Sequence, residues 1–520
     1  MGVSSRSNRR GEAVTKTLKV ENLHMKGNTF IVTTAQATVF LIFSIVLFTC
    51  SKQEEKAPLT FYCAAGIKPP VEKTVSDYSK ESGVQIQVQY GGSGTLLSNL
   101  QIAKTGDLYL AADDSYIHQA KEKGLLAESI PIATMRPVIA VQKGNPKGIH
   151  SVGDLLCEEV AVALANPDAA AVGRIIRKIL KKTGEWDTLK EHTRVFKPTV
   201  NEIANDIRIG AVDAGIIWDS VGNQYEQIEN VHVEAFDAKT YQITVGVLTS
   251  SENPTEALKF ARYLSARDRG QHHFADLGYE PVEGDVFEVH PEILLFSGAM
   301  LRPGLEKAIQ KFEQREGVTV NRVYNGCGIL VSQMNSGTEP EVYVSCDVSF
   351  MEIVQGRFLS SKLLTENDMV ILVKKGNSKQ IQGLQDLARA DVVVGLAHPE
   401  KSALGELTRR MLVAEDLYEQ VAANKKVDSA TGDFLVNQIR AGSLDAVIVY
   451  RSNAMSAPVN LEKHLDLIEI DAKNATAIQS YAIAKNAKHK RLLERLFDIV
   501  MDNQSKSTFE SFGFRWRQSD

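Results

Sequence analysis

The residues best suited to chemistry in this chain are small, uncharged residues in loops that are predicted to follow strands. Three loops have this character: residues 64–66 (Ala-Ala-Gly), 91–94 (Gly-Gly-Ser-Gly) and 169–173 (Ala-Ala-Ala-Val-Gly). Backbone N–H groups at a helix start bind an anion without Lys or Arg, because the positive end of the helix dipole lies behind them. The hydroxyl of Ser93 can add a donor. The pattern favours a small oxyanion as ligand, and the alternative is that GGSG only forms a tight turn.

The elements that must position these loops alternate between strand and helix. The segment from residue 70 to residue 82 has apolar residues at helical spacing, and further helices are predicted near Thr95 and after Gly173. Strands are predicted at residues 59–64, 84–90, 107–112, 160–164 and 213–218. This alternation predicts an α/β architecture with mainly parallel sheets, in which ligands bind beyond the carboxyl ends of the strands.

The chain repeats itself. At an offset of 234 positions, residues 90–96 (YGGSGTL) align with residues 324–330 (YNGCGIL). At an offset of 232, residues 138–145 (VIAVQKGN) align with residues 370–377 (VILVKKGN). The two offsets make each copy about 230 residues long, which is the size of a whole globular body and not of a solenoid repeat. Two α/β lobes per copy fit this length. The predicted division is a first module at 58–284, a linker at 285–290 and a second module at 291–520.

Two charged pairs invite a functional interpretation but favour a structural one. Asp113 and Asp114 resemble an acid–base pair, yet the second copy has Val348 in place of Asp114, so a strand-end turn or helix cap is favoured. His272 and His273 are adjacent on a predicted surface helix and therefore point in different directions, which disfavours a shared metal ion.

The remaining candidate for reactivity is Cys327, which replaces Ser93 in the second copy. A helix start could lower its pKa, but a nucleophile also needs a positioned base, and no His lies near it in sequence. We interpret Cys327 as a small core or cleft residue. Neither copy shows an assembled acid, base and nucleophile, so the sequence predicts no enzyme, no cofactor and no resident metal.

Composition narrows the class of partner. The 520 residues are 43% hydrophobic and 24% charged, which is ordinary for water-soluble globular domains. The formal net charge of -5 provides no overall basic field for nucleic acid, so a nucleic-acid partner is not predicted. Five scattered cysteines without a CxxC pair predict neither a disulfide framework nor a zinc site.

The N-terminal part, residues 1–50, is predicted to direct the chain to the membrane. Its apolar centre, residues 39–48, is about ten residues long and too short for a spanning helix, so it fits a signal peptide. The alternative is an uncleaved membrane anchor. A signal of ordinary length would begin at Met25, which is the predicted true start. The run ends at Cys50 and is followed by a polar linker, residues 51–57.

At these positions the chain resembles known proteins. The segment ending in Cys50 is similar to bacterial lipoprotein signals, in which the Cys is lipidated, and this implies a protein anchored to the membrane outside the cytoplasm. Both copies resemble the molybdate-binding solute receptors of ABC transporters, within the type II periplasmic binding proteins. This resemblance implies two tandem modules, each made of two α/β lobes joined by a hinge.

In that family two serines, two backbone amides and a tyrosine surround a tetrahedral dianion. Only Ser93 keeps the family's side chain in the first copy, and only Tyr450 does so in the second. The implied ligand-binding positions of the first module are Gly66, Ser93, Val172, Val200 and Trp218. The corresponding positions of the second, degenerate module are Met300, Cys327, Leu404, Gly432 and Tyr450.

The resemblance implies a lipid-anchored, periplasmic or cell-surface binding protein that captures molybdate or tungstate and presents it to a membrane permease. Two alternatives remain open at this point. The ligand could be another small solute such as sulfate, phosphate or an organic acid, or the chain could be a sensor or scaffold lipoprotein that has lost its ligand.

Overall fold

The computed structural model describes residues 57–456 and 461–517, which belong to one compact unit. The predicted signal segment, the start at Met25 and the lipidation site Cys50 lie outside the described residues. Within the described part, no helix has the length and apolar character that crossing a membrane requires.

The first module contains eleven strands and ten α-helices in the described residues. The strands are β1 Leu59–Ala64, β2 Ile86–Gly91, β3 Leu108–Ala111, β4 Leu126–Met135, β5 Pro137–Gln142, β6 Val162–Ala165, β7 Val195–Lys197, β8 Ala214–Trp218, β9 Ile228–Val231, β10 Tyr241–Leu248 and β11 Glu280–Pro281. The helices are α1 Lys68–Ser82, α2 Ser93–Ala103, α3 Asp114–Glu122, α4 Ala171–Thr183, α5 Trp186–His192, α6 Val200–Arg208, α7 Asp219–Gly222, α8 Glu234–Asp237, α9 Pro254–Ser265 and α10 Gly270–Ala275.

These strands form two sheets, one for each lobe. The first lobe has six strands in the order β11-β4-β10-β3-β1-β2, and the second lobe has five in the order β7-β6-β8-β5-β9. The α/β class is confirmed, but the sheets are mixed instead of mainly parallel. In each sheet three neighbouring strands are parallel, and the strands that carry the chain between the lobes pair with them antiparallel.

The second module repeats this plan with ten strands and ten α-helices in the described residues. The strands are β12 Glu292–Gly298, β13 Thr319–Asn325, β14 Val342–Ser345, β15 Lys362–Lys374, β16 Val394–Ala397, β17 Lys425–Ser429, β18 Ala446–Tyr450, β19 Leu465–Glu469, β20 Thr476–Ile483 and β21 Arg515–Trp516. The helices are α11 Arg302–Glu316, α12 Cys327–Asn335, α13 Val348–Val354, α14 Ala403–Ala414, α15 Tyr418–Ala423, α16 Gly432–Arg440, α17 Arg451–Met455, α18 Leu461–His464, α19 Lys490–Val500 and α20 Asn503–Ser511.

The two modules differ where the chain crosses between lobes. In the first module Arg136 separates β4 from β5, and its backbone N–H donates to the Asp219 carboxylate at 3.1 Å. In the second module β15 is one uninterrupted strand of 13 residues, which pairs with β20 in one lobe and with β18 in the other. One half of β15 therefore belongs to each lobe, and the strands of the second module form a single ten-stranded sheet.

Buried charges join the modules. Glu316, at the end of α11, is 1% exposed and accepts hydrogen bonds from Arg262 of the first module at 2.8 Å and from Arg495 at 2.6 Å. Arg315 forms a second bridge to Glu128 across the same boundary, at 2.7 Å. Removing one partner from a buried pair leaves an uncompensated charge, so these contacts hold the modules together.

The segment between the modules is also fixed to the second one. The carboxylate of Asp285 accepts the backbone N–H of Arg491 at 2.9 Å and that of Leu492 at 3.0 Å, in the first turn of α19. A carboxylate at a helix N-terminus satisfies amides that have no acceptor within the helix. Asp285 therefore ties the start of this segment to the second module, whereas Phe287 packs on Tyr263 of the first.

Candidate functional site

A small cavity lies between the two lobes of the first module, where three helices begin. Helix α2 reaches it from the first lobe, and α4 and α6 reach it from the second. None of the lining residues is charged. They are Ala64, Ala65, Gly66, Gly91, Gly92, Ser93, Ala112, Ala170, Ala171, Val172, Thr199, Val200 and Trp218. All five residues proposed for the first module are thus brought together at one place, although they span more than 150 positions of sequence.

Ser93 supplies the one side-chain hydroxyl of these five positions. It is 2% exposed, and its Oγ accepts the backbone N–H of Ala112 at 3.2 Å. The hydroxyl of Tyr109 donates to the Ser93 carbonyl at 2.8 Å and fixes the backbone at this point. Because Oγ acts as the acceptor in its contact with Ala112, its own proton is available to a ligand.

Two backbone amides face the same region from the second lobe. Val172 is the second residue of α4 and Val200 is the first residue of α6. Amides in the first turn of a helix have no intrahelical acceptor, and the helix dipole makes them favourable partners for negative charge. The loops after β6 and β7 therefore contribute donors without contributing charge.

Gly66 and Trp218 are complementary in shape. A side chain at Gly66 would place its Cβ 3.0 Å from Val200 and 3.6 Å from the Trp218 indole ring. Trp218 is 1% exposed and packs on Tyr241, with ring centroids 5.8 Å apart. The hydroxyl of Tyr279 donates to the Gly66 carbonyl at 2.7 Å. The indole occupies the space beside Gly66, so a larger residue at position 66 would collide with it.

The glycines of the GGSG loop permit contact between the lobes. A Cβ on Gly92 would lie 2.4 Å from the carbonyl oxygen of Ala169 and 2.8 Å from that of Pro198, both in the second lobe. The N–H groups of Gly94 and Thr95 donate to the Ala169 carbonyl at 2.9 and 3.4 Å. Neither Gly92 nor Gly94 has positive φ, so close approach, and not turn conformation, explains these glycines.

This closeness limits the cavity. With the lobes in contact its free volume is about 20 Å³, which is room for about one water molecule. The Ala169 carbonyl also uses two amides of α2. A polyatomic ligand would therefore enter only when the lobes separate, and they would close on it less tightly than they do here.

A charged contact holds the lobes together beside the cavity. Arg174 of α4 forms a salt bridge with Asp113 at 3.2 Å, and its guanidinium lies over the Tyr116 ring at 3.9 Å. Asp113 is also the N-cap of α3, accepting the Ser115 N–H at 3.2 Å, so the cap interpretation of Asp113 is confirmed. Burial raises the pKa of Asp113 although Ser115 and Arg174 oppose this. Arg174 cannot be assigned to this site from the sequence, because it lies 61 positions from Asp113 and no local pattern pairs the two.

In the second module the corresponding positions are also closely packed. Leu404 and Gly432 again stand in the first turns of helices, α14 and α16. Met300, Cys327 and Tyr450 are all at most 4% exposed.

Two phenols in this second cleft are unusual. The hydroxyls of Tyr343 and Tyr450 are buried and have no hydrogen-bond partner among the described residues. Burial raises the pKa of both, and the neighbouring thiols and Asp347 add to the effect. The interpretation of Cys327 as a small core or cleft residue agrees with its complete burial. The Tyr450 side chain is retained here, but Met300 and Cys327 provide no hydroxyl donor beside it.

The histidine pair lies away from both clefts. His273, on α10, is a quarter exposed and pairs with Asp77 at 2.8 Å. Within the described residues there is no group of three or more His, Cys, Asp or Glu side chains arranged to hold a metal ion.

Comparison with known proteins places each module in one family. The model of the bacterial extracellular solute-binding proteins matches residues 59–280 and again residues 293–515. A Haemophilus influenzae protein described as a binding protein is 28% identical over 240 residues, which are 46% of this chain and 97% of that protein. The molybdate-binding protein ModA of Mycobacterium bovis is 25% identical over 226 residues, 43% of this chain and 84% of its own.

Solved structures match one module at a time. The periplasmic molybdate-binding protein of Azotobacter vinelandii has 15% identity and a TM-score of 0.38, covering 43% of this chain and 100% of that chain. The sulfate-binding protein SubI of Mycobacterium tuberculosis has 18% identity and a TM-score of 0.39, covering 44% of this chain and 87% of its own. On the strength of the two family matches, which together span most of its length, the chain belongs to the bacterial extracellular solute-binding proteins and carries two tandem copies of the fold.

Proposed function

We propose that the first module captures a tetrahedral oxyanion, molybdate or tungstate, and delivers it to the permease of an ABC transporter. The observation that carries this proposal is the convergence of three helix N-termini from two lobes on a neutral cavity that contains the Ser93 hydroxyl. Helix N-termini and hydroxyls donate hydrogen bonds to an anion without an ion pair.

Neutral donors suit a protein that must also release its ligand. An oxyanion accepts several hydrogen bonds at once, and each bond to a charged acceptor contributes about 1.5–3 kcal/mol. Because α2 belongs to one lobe and α4 and α6 to the other, the full set of donors exists only when the lobes are close. Separation of the lobes by a hinge motion then removes several bonds together.

The identity of the anion rests on relatives. ModA of Mycobacterium bovis is named for molybdate, and SubI of Mycobacterium tuberculosis for sulfate. At Gly66 and Trp218 this chain lacks two hydroxyls of the resembling family, so it offers fewer side-chain donors. Sulfate and phosphate present the same tetrahedral arrangement of acceptors and are the rival ligands.

The proposal extends to location and to the limits of the modules. We place the first module at residues 58–284 and the second at 291–520, and we infer that Cys50 carries a lipid that anchors the chain outside the cytoplasm. Fractionation of cells that express the chain tests the anchor. Wild type is expected in the membrane fraction and Cys50→Ala in the soluble extracytoplasmic fraction, and equal partition of the two would overturn it.

For the second module the residues at the cleft favour a different function, that of a module that no longer binds an oxyanion. Cys327 stands where Ser93 does in the first module, and Met300 replaces Gly66 by a buried side chain. A thiol is a weak donor, so this position offers less to an anion.

Calorimetric titration of the full chain with molybdate, tungstate, sulfate and phosphate tests the assignment. We expect one site per chain, with molybdate or tungstate binding most tightly and raising the melting temperature. A background carrying Trp186→Phe and Trp516→Phe leaves Trp218 as the only indole of the three, so its fluorescence reports on the first cleft. No response to any oxyanion would refute the proposal, and preference for sulfate or phosphate would replace the ligand.

Paired substitutions locate the site. Ser93→Ala removes a donor to a charged ligand and is expected to weaken binding about 10- to 100-fold. Cys327→Ala changes the matching position of the second module and is expected to leave the affinity unchanged. Equal losses from both variants would show that the two clefts bind alike, contrary to the asymmetric assignment.

A further inference from the structure

Three neighbouring positions change together between the modules. They lie at the ends of the three parallel strands that form the floor of each cleft, and the changes convert small residues into a pair of thiols. The positions, first module then second, are Ala64 and Gly298, Ser93 and Cys327, and Ala112 and Cys346. In the first module Ser93 Oγ accepts the Ala112 N–H at 3.2 Å. In the second module Cys327 Sγ accepts the Cys346 N–H at the same distance, 3.2 Å.

Gly298 makes room for the second thiol. A Cβ at Gly298 would lie 2.0 Å from the sulfur of Cys346 and 3.2 Å from the sulfur of Cys327. The separation of the two sulfurs cannot exceed the sum of these distances, because both are measured from one point. Ala64, the counterpart in the first module, has a Cβ and faces no thiol. The loss of a side chain at position 298 thus accommodates the gain of one at position 346.

The two thiols are free and buried in a setting suited to exchange. Cys327 is 0% and Cys346 is 5% exposed. Burial alone would raise the pKa of Cys327, but interactions with Cys346 and with the neighbouring Tyr343 bring it below the ordinary value. Burial and the hydrogen bond to Cys327 raise the pKa of Cys346. Cys327 therefore has the lower pKa of the pair and loses its proton more readily than Cys346.

Access to the pair depends on the lobes. The glycines on either side of Cys327 lie against the other lobe: a Cβ on Gly326 would be 2.3 Å from the Lys401 carbonyl oxygen, and one on Gly328 would be 1.9 Å from that of Glu400. When the lobes touch, the sulfurs are covered. When they separate, the helix start that bears Cys327 is uncovered.

We propose that Cys327 and Cys346 form a reversible disulfide at the floor of the second cleft. The proposal rests on membership of an extracellular family, since such compartments are oxidising, and it does not depend on which anion the first module binds. Both cysteines belong to the same lobe, so the bond would change the surface of the cleft without tying the lobes together. The second module would then be a redox-responsive element instead of an anion receptor.

The chemistry balances with a small disulfide as the oxidant. The Cys327 thiolate attacks one sulfur of the oxidant and forms a mixed disulfide, and the other half leaves as a thiolate that takes a proton. Cys346 then loses its proton and attacks Cys327, releasing the second thiol. The net change is two protein S–H bonds exchanged for one S–S bond, with two electrons and two protons transferred to the oxidant.

Peptide mapping tests the bond directly. No Lys or Arg lies between Arg322 and Arg357, so trypsin leaves both cysteines on one peptide, residues 323–357, and the disulfide appears as the loss of two hydrogens. Cleavage after Glu341 then separates Cys327 from Cys346, and the two fragments that carry them remain linked only if the bond exists. The full chain is incubated with oxidised glutathione, denatured with an alkylating agent and digested.

We expect the linked fragments in wild type and their loss after treatment with dithiothreitol. Cys346→Ala recreates the first module's Ala112 and is expected to abolish the link. Cys63, which is buried in the first module, serves as the internal control. It is expected to remain a free thiol during the incubation and to be alkylated after denaturation.

A second variant tests whether the closed lobes keep the oxidant away from the two thiols. Gly326→Ala is expected to hold the lobes of the second module apart and to speed the oxidation several-fold. If Cys327 and Cys346 both remain reduced in wild type and in Gly326→Ala, or if Cys327 links instead to the exposed Cys157, the proposal is wrong.

Discussion

The two clefts of this chain keep the same frame and differ in what fills it. In both modules a Gly-x-Gly loop begins a helix and lies against carbonyl oxygens of the opposite lobe, at Gly92 and Gly94 in the first and at Gly326 and Gly328 in the second. The first cleft has the Ser93 hydroxyl and a small cavity. At the matching positions the second cleft has the Cys327 thiol, and the larger side chain of Met300 in place of Gly66. Contact between lobes and the chemistry of the cleft are therefore separable properties of the fold.

The Glu316→Ala variant tests how strongly the two modules depend on each other for stability. Loss of this carboxylate strands Arg262 and Arg495 in a buried site and is expected to cost about 3–5 kcal/mol. Urea denaturation should show a lower midpoint and two separate transitions. Glu313→Ala is the control, because its partner Arg322 lies within the same module and the pair is partly exposed. A single unchanged transition would mean that the modules do not rely on this contact.

The same carboxylate has a defined pH dependence. Burial alone would raise the pKa of Glu316, but Arg495 and Arg262 hold it below its ordinary value of 4.5. A carboxyl with a lowered pKa in the folded state stabilises the fold above the unfolded value, and that stability is lost as pH falls through the folded value. Below about pH 4.5 wild type should therefore lose stability relative to Glu316→Gln, and parallel curves for the two proteins would contradict this.

Blocking contact between the lobes is expected to affect the two clefts differently. Gly92→Ala places a Cβ against two carbonyl oxygens of the second lobe and should cost about 1–3 kcal/mol of closure, a roughly 5- to 150-fold loss of oxyanion affinity. Gly326→Ala makes the same change in the second module and should leave that affinity intact. Calorimetry with molybdate compares the two variants, and a loss from Gly326→Ala would show that the second cleft takes part in binding.

The smallest effect is expected at the salt bridge beside the first cavity. Arg174→Gln breaks the bond to Asp113 and should weaken oxyanion binding by less than about 1 kcal/mol, since the pair is partly exposed. At the offset of 232 Arg174 corresponds to Glu406, and in the second module it is Arg410 that reaches across the cleft to donate to Ser349 at 3.0 Å. Arg410→Gln is therefore a control for a contact between the lobes of the second module and should not alter binding. Stopped-flow release rates would detect the difference, and identical rates in wild type and Arg174→Gln would assign the bridge no role in closure.

The sequence was informative where signals are local. Alternating apolar runs and the internal repeat predicted the α/β class, and loops after strands, including Ser93, were placed at the cleft. Contacts between distant residues could not be read in the same way. Arg174 and Asp113 are 61 positions apart, and Glu316 and Arg495 are 179 apart, and neither carries a local pattern that names its partner.

The exchange at Gly298, Cys327 and Cys346 shows the same limit. The replacement of Ser93 by Cys327 is visible in the alignment of the two copies. Its proximity to Cys346 is not, because contact between residues that follow different strands depends on the order of the strands in the sheet. Strand order in a mixed sheet follows from how the chain crosses between lobes, which local periodicity does not encode.

The unbroken β15 has a mechanical consequence. A ribbon of 13 residues that is hydrogen-bonded along both halves stores elastic energy when it bends, whereas the first module can turn at a single residue, Arg136, outside its strands. The first module can therefore hinge at one residue, whereas the second must bend a continuous strand to open. Wide opening should be frequent in the former and rare in the latter, which shields the two sulfurs for most of the time.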